Sequence, residues 1–148
     1  MIVGMMSVAA LNSLGGATRS SEAIGNRAVA HGLADELMSE IVQSSYADPI
    51  QTPVFGRESG EPAAGPRSTY DDVDDYNGWN ISPPQYRDGS TMPNRADWRH
   101  RVEITRVTLS DPTQAVGTDQ GVKRIRVTIE YRGQVLAEQT ALRTDTDE

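Results

Sequence analysis

From Ile24 to Val42 the apolar residues Ile24, Ala28, Leu33, Ala34, Leu37, Met38 and Ile41 recur at spacings of three and four. That period belongs to a helix with one face turned toward a core. Upstream, no charged residue occurs before Arg19 and no proline before Pro49. The two stretches therefore read as one helix from Met1 to about Tyr46, weakened at Gly15-Gly16 and stopped by Asp48-Pro49. At about 1.5 Å per residue such a helix reaches roughly 70 Å. The rest of the chain can form only a body with a radius of gyration of about 13 Å. The N-terminal part of the helix must then be covered by lipid or by other chains.

A different period begins at Trp98. Val102 and Ile104 alternate with polar residues, and Val107 and Leu109 continue in the opposite phase, which predicts a bulge near Thr105-Arg106. Ile125, Val127, Ile129 and Tyr131 alternate with Arg124, Arg126, Thr128 and Glu130, a half-buried strand. Arg132-Gly133 is a two-residue turn candidate. A weaker strand follows from Gln134 to Arg143 through Val135, Ala137 and Leu142. The prediction is a three-stranded antiparallel meander whose apolar face is covered by the helix after Ile24.

Between helix and sheet, residues 47–97 hold seven of the eight prolines and no sustained period. They read as a long irregular loop. Arg57 to Ser68 looks the most mobile part, whereas Tyr70, Tyr76, Trp79, Tyr86 and Trp98 supply a core poor in Phe rather than a carbohydrate platform. The fold class is α+β, a ladle with a long helical handle. Its divisions are an assembly helix over 1–23 and a head over 24–148, the latter made of an amphipathic helix (24–46), the loop (47–97), the sheet (98–143) and a tail (144–148).

Composition narrows the partners. A formal net charge of −7 argues against a nucleic-acid ligand. No cysteine is present, so disulfide and thiolate chemistry are excluded. For the apolar start, three readings compete: a membrane anchor shortened by about ten residues, a signal-peptide core without its basic flank, and a soluble core helix.

Three stretches together resemble the type IV pilin and type II secretion pseudopilin superfamily. They are MIVGMMSVAALNSLGGATRS, its amphipathic continuation through Tyr46, and the sheet from Trp98 to Arg143. The run TYDDVDDYNGW is also similar to loops of minor, pseudopilin-type subunits. The superfamily's processing motif, Gly followed by Phe or Met, Thr, Leu and then Glu, is missing, and no Glu precedes Glu22. The resemblance implies a subunit held in the inner membrane with a periplasmic head. It then joins other copies of itself, or other pilin-like subunits, in a periplasmic or extracellular filament.

In that setting Ile2, Val3, Met6, Val8, Ala10, Leu11 and Leu14 are the candidate assembly residues, and Gly15 and Gly16 a candidate hinge. Small residues such as Gly4, Ser7 and Ala9 would allow neighbouring helices to approach closely.

Asp71, Asp72, Asp74, Asp75 and Asn77 put many oxygens within a few residues, which makes them a candidate calcium site. The alternatives are a solvated or arginine-paired acidic loop and a partner-docking surface. The spacing is not that of an EF-hand. Calcium is also bound by some pseudopilins in a comparable loop, as the resemblance implies. His31 and His100 read as helix-surface and strand-surface residues. No nucleophile elbow or phosphate-cradling loop is present, so an enzyme is not expected. The leading function is a structural subunit of a pilus or pseudopilus; the alternative is a membrane-anchored or secreted calcium-dependent binding module.

Overall fold

The computed structural model describes residues 2–49, 52 and 54–145, with side chains in the first helix from Ser20 onward. Helix α1 runs unbroken over Ile2–Val42. It is followed by two single 3₁₀ turns, Arg67–Thr69 and Asp74–Tyr76, and by four strands: β1 (Asn80–Ile81), β2 (Trp98–Arg106), β3 (Val122–Tyr131) and β4 (Gln134–Thr144). The strands form one antiparallel sheet in the order β1-β2-β3-β4. The α+β architecture is as the periodicity implies, with one strand more than expected. β1 is too short to show a period, and it joins the sheet by pairing Asn80 and Ile81 with Arg101 and His100.

α1 packs on β3 and β4. Ala30, Leu33, Ala34, Leu37 and Ile41 face Val102, Ile104, Ile125, Val127, Ile129 and Ala137 in one core. The buried stripe starts later than the apolar spacing suggests. Ala28 is exposed, and Ile24 is 66% exposed, because the sheet reaches the helix only from about Val29. The helix also ends earlier than Tyr46. The main chain of Ser45 leaves it to pair with the loop, accepting from Val73 N–H at 3.0 Å and donating to Asp71 O at 3.1 Å.

Two strand details differ from expectation. β2 pairs with β3 in continuous register to Arg106↔Lys123, so no bulge lies at Thr105-Arg106; the phase changes because the strand ends there. The irregularity is in the β3–β4 pairing instead. Ile129 pairs with Ala137 and Glu130 with Val135, which leaves Leu136 as the extra residue. The shift turns Val135 away from the face on which Ala137 is buried, while Leu142, five residues from Ala137 in unbroken register, lies on the outer face. The turn between β3 and β4 is as expected: Arg132 (φ 50°) and Gly133 (φ 78°) both take positive φ, the geometry that matches strand twist in a tight hairpin.

The irregular middle is a structural layer. Tyr70, Tyr76, Trp79 and Trp98 are buried, with Tyr70 edge-on to both Tyr76 and Trp79; only Tyr86 of the five aromatics is exposed. Gly89 (φ +85°) is more than a turn residue here. A Cβ at that position would meet the Pro66 main-chain nitrogen at 2.8 Å, so glycine lets two loop segments touch.

Because the sheet covers α1 only from about Val29, Leu37→Ala should cost about 2–5 kcal/mol in chemical denaturation followed by Trp79 and Trp98 fluorescence. Ile24→Ala should change stability by less than about 0.5 kcal/mol.

Candidate functional site: a buried carboxylate layer

The Asp71–Asp75 run turns inward. Asp72, Asp74 and Asp75 are buried and Asp71 partly so, which rules out the solvated loop among the alternatives. The three buried carboxylates do local work. Asp72 Oδ1 accepts from the main-chain N–H of Asp74 (2.7 Å) and Asp75 (3.3 Å), fixing the 3₁₀ turn. Asp75 Oδ2 accepts from the N–H of Asp71 (2.9 Å) and Asp72 (3.1 Å). Asp74 Oδ2 accepts from Gly56 N–H at 3.0 Å, and its Oδ1 pairs with the buried ammonium of Lys123. Asn77 Oδ1 accepts from Ile104 N–H at 3.1 Å, tying the segment to β2. Four of the five residues singled out as a calcium set, Asp72, Asp74, Asp75 and Asn77, thus direct side-chain oxygens to different partners, and Asp71 enters through its main chain.

Two charged residues missed in the sequence hold this layer in place. Lys123, the single lysine of the chain, also donates to Tyr46 O and lies 4.3 Å from the Tyr46 ring centre. Its position was legible in principle: extending the inward phase of Ile125, Val127 and Ile129 back by two residues reaches it. Arg67 lies in the stretch read as most mobile, yet it is buried. Its guanidinium meets both carboxylate oxygens of Glu40 on α1 at 2.9 Å, donates to Gln85 O and stacks 4.9 Å from the Trp79 ring centre. Tyr76 donates to the same Glu40 at 3.0 Å.

His31 is exposed, as expected. His100 is not a surface residue: it is buried beneath the loop, in phase with Trp98, Val102 and Ile104, and neither ring nitrogen has a hydrogen-bond partner. Burial first, and the Arg67 charge second, push its pKa down to about 4.

The carboxylates shift the other way. Burial, with repulsion from Asp74 and Asp75, raises Asp72 to about 8. Burial, with Glu61 beside it, raises Asp75 to about 6.

Asp75 also meets two acids from the preceding lobe. One oxygen each of Glu58, Glu61 and Asp75 lies within 4.8 Å of the others. At that separation, each pair of full charges would repel by roughly 3–4 kcal/mol at an effective dielectric of about 20. Burial and mutual proximity accordingly raise the pKa of Glu58 and of Glu61. Nothing in the spacing Glu58-x-x-Glu61 marks these residues in advance, because their meeting with Asp75 is set by the fold.

The assembly residues Ile2, Val3, Met6, Val8, Ala10, Leu11 and Leu14, and the surroundings of Gly15 and Gly16, lie outside the described side chains. Among the described residues no helix is long and apolar enough to cross a membrane. No protein-family model, curated protein or solved structure matches the chain.

Lys123→Ala should destabilise by about 3–5 kcal/mol, since it strands a buried Asp74 charge. Lys123→Met combined with Asp74→Asn should recover much of that loss in the same denaturation assay.

The titrations have opposite signs. The stability that neutral His100 contributes is full above about pH 6.5 and is lost as pH falls toward 4. The contribution of protonated Asp75 and Asp72 is present below about pH 4 and is lost as pH rises through about 6 and about 8. Melting temperature should therefore fall from pH 6.5 to 8. Between pH 6.5 and 4 His100 opposes the two aspartates, so His100→Leu should gain more stability on acidification than the parent.

Proposed function

We propose that the chain is a structural subunit of a pilus or pseudopilus-type filament, held in the inner membrane by the first part of α1 before assembly. The observation that carries this reading is the helix. Forty-one residues of α1 span roughly 60 Å, whereas its buried stripe begins at about Val29. From Ser20 to Ala28 every residue but Asn26 is exposed. The sequence before Arg19 carries no charge and is rich in small residues, a composition suited to close helix contacts in lipid or in a bundle. The charged groups of the head support a structural rather than a catalytic role, because they fasten the loop to the helix and to the sheet.

A second reading, an anchored or secreted binding module that depends on calcium, is favoured by the Glu58, Glu61 and Asp75 cluster. Assembly separates the two.

Expressed as the full chain in a bacterial membrane, the protein should sediment with membranes and cross-link to copies of itself or to pilin-like partners. Val8→Asp should abolish cross-linking while the fluorescence-detected unfolding of the head stays unchanged. Unaltered cross-linking by Val8→Asp would overturn the filament proposal.

A further inference from the structure

The lobe after Pro53 turns back on itself. Glu58 N–H donates to Glu61 Oε2 at 2.8 Å, which aims both glutamates to the same side. Tyr70 Oη donates to Pro62 O and holds the end of the lobe against the core. From the opposite side comes Asp75. It is fully buried, and while its Oδ2 is held by two main-chain N–H groups, its Oδ1 has no partner. Both oxygens of Glu58 are shielded from solvent, and the main-chain N–H of Val54 beside them does not offset burial and the neighbouring Asp75, which raise its pKa.

The nearest guanidinium does not resolve this excess of negative charge. Arg57 Nη1 is directed to main-chain oxygens, those of Asp75 at 3.2 Å and Asn77 at 2.9 Å. Three acceptor-only groups therefore converge with unfilled lone pairs. A shared proton can bridge two of them, but a third oxygen still lacks a donor.

We propose that Glu58, Glu61 and Asp75 bind a single calcium ion, which clasps the 56–62 lobe to the 71–77 segment. One oxygen of each acid lies within 4.8 Å of the others, close enough for a single ion to touch all three. Calcium suits such a set better than magnesium, because it accepts hard carboxylate oxygens in flexible geometry whereas magnesium demands a near-ideal octahedron and keeps its waters. Calcium takes six to eight oxygens, so carboxylates that bind through both oxygens, together with water, would complete the shell. The raised pKa of all three acids supports the assignment, since they carry a charge that the fold alone leaves uncompensated. The ion site does not depend on the filament proposal: one is read by ion binding, the other by assembly.

The test is calorimetric titration of the full chain in detergent with calcium chloride, and separately with magnesium chloride, after chelation, alongside melting curves. The expected result is one calcium per chain with a Kd of roughly 10⁻⁵–10⁻³ M. At tenfold excess over Kd the melting temperature should rise by about 3–6 °C. Glu58→Gln with Glu61→Gln should weaken calcium at least tenfold, yet melt no lower than the parent in chelator, because the substitution relieves repulsion. Glu58→Gln alone should give an intermediate affinity. Absence of heat and of any melting shift at millimolar calcium would overturn the proposal. So would calcium affinity unchanged in the double variant, or magnesium bound more tightly than calcium.

Discussion

The bidentate pair between Arg67 and Glu40 sets the architecture of the head. Glu40 stands on the helix near its C-terminal end, and Arg67 belongs to the loop. Their junction presses the segment from Arg67 to Trp79 between α1 and the sheet, and Lys123 with Asp74 fixes the other side of the same segment. A chain with one Phe cannot fill that layer with aliphatic side chains alone. Tyrosines and tryptophan fill it instead, bringing polar atoms that need partners, and Tyr76 finds Glu40. Buried ion pairs of this kind add little net stability over an apolar replacement, but removing one member leaves a costly charge. They make the arrangement specific: a loop without a ladder of its own has one position that satisfies both pairs.

The regular elements were legible because their information is local. Period two over Ile125–Tyr131 and the Arg132-Gly133 turn specify the hairpin, and period three to four specifies the buried helix face from Leu33 to Ile41. The loop was not legible, because what orders it joins residues far apart in sequence. Arg67 is 27 residues from Glu40, and Lys123 is 49 from Asp74. His100 and Lys123 show a different lesson. Both lie in the inward phase of well-patterned strands; His100 reads as a surface residue from its polar character, and nothing singles out Lys123. Phase decided their placement, and each brought a consequence: an unpartnered imidazole in one case, a buried pair in the other. The same reasoning applies to the acids. Four aspartates in five residues look solvated, yet short side chains that accept main-chain N–H groups can fold a segment about themselves.

α1 combines two environments in one element. From about Val29 its apolar stripe is used by the sheet; from Ser20 to Ala28 the head leaves it open, with Ile24 the clearest case. An exposed isoleucine by itself is ordinary. Its weight comes from position, on a helix whose backbone continues to Ile2 through a stretch without charge. A helix of that length held at one end needs further cover to remain a straight rod in water, because isolated helical stability is marginal. Self-association or a bilayer would supply it, which is how the open face of α1 bears on the filament proposed above.

The carboxylate layer connects the head to its surroundings in a way the helix does not. Excess negative charge at Glu58, Glu61 and Asp75 can be relieved by protons or by a divalent cation, and the two compete for the same oxygens. Protons win only where the pH approaches the raised pKa values, near 6 for Asp75. A shared proton bridges two oxygens, while a cation can touch all three acids at once. The lobe that carries Glu58 and Glu61 meets the head through Phe55, which packs against the core and lies under Arg106, and through Gly56, Arg57 and Pro62, which meet Asp74, Asp75, Asn77 and Tyr70. The order of the Glu58–Glu61 turn itself should follow whichever partner fills the cluster. The edge of the head would then be a firm surface where divalent cations are plentiful and a looser one where they are scarce, while the core fixed by Glu40, Arg67, Asp74 and Lys123 stays the same.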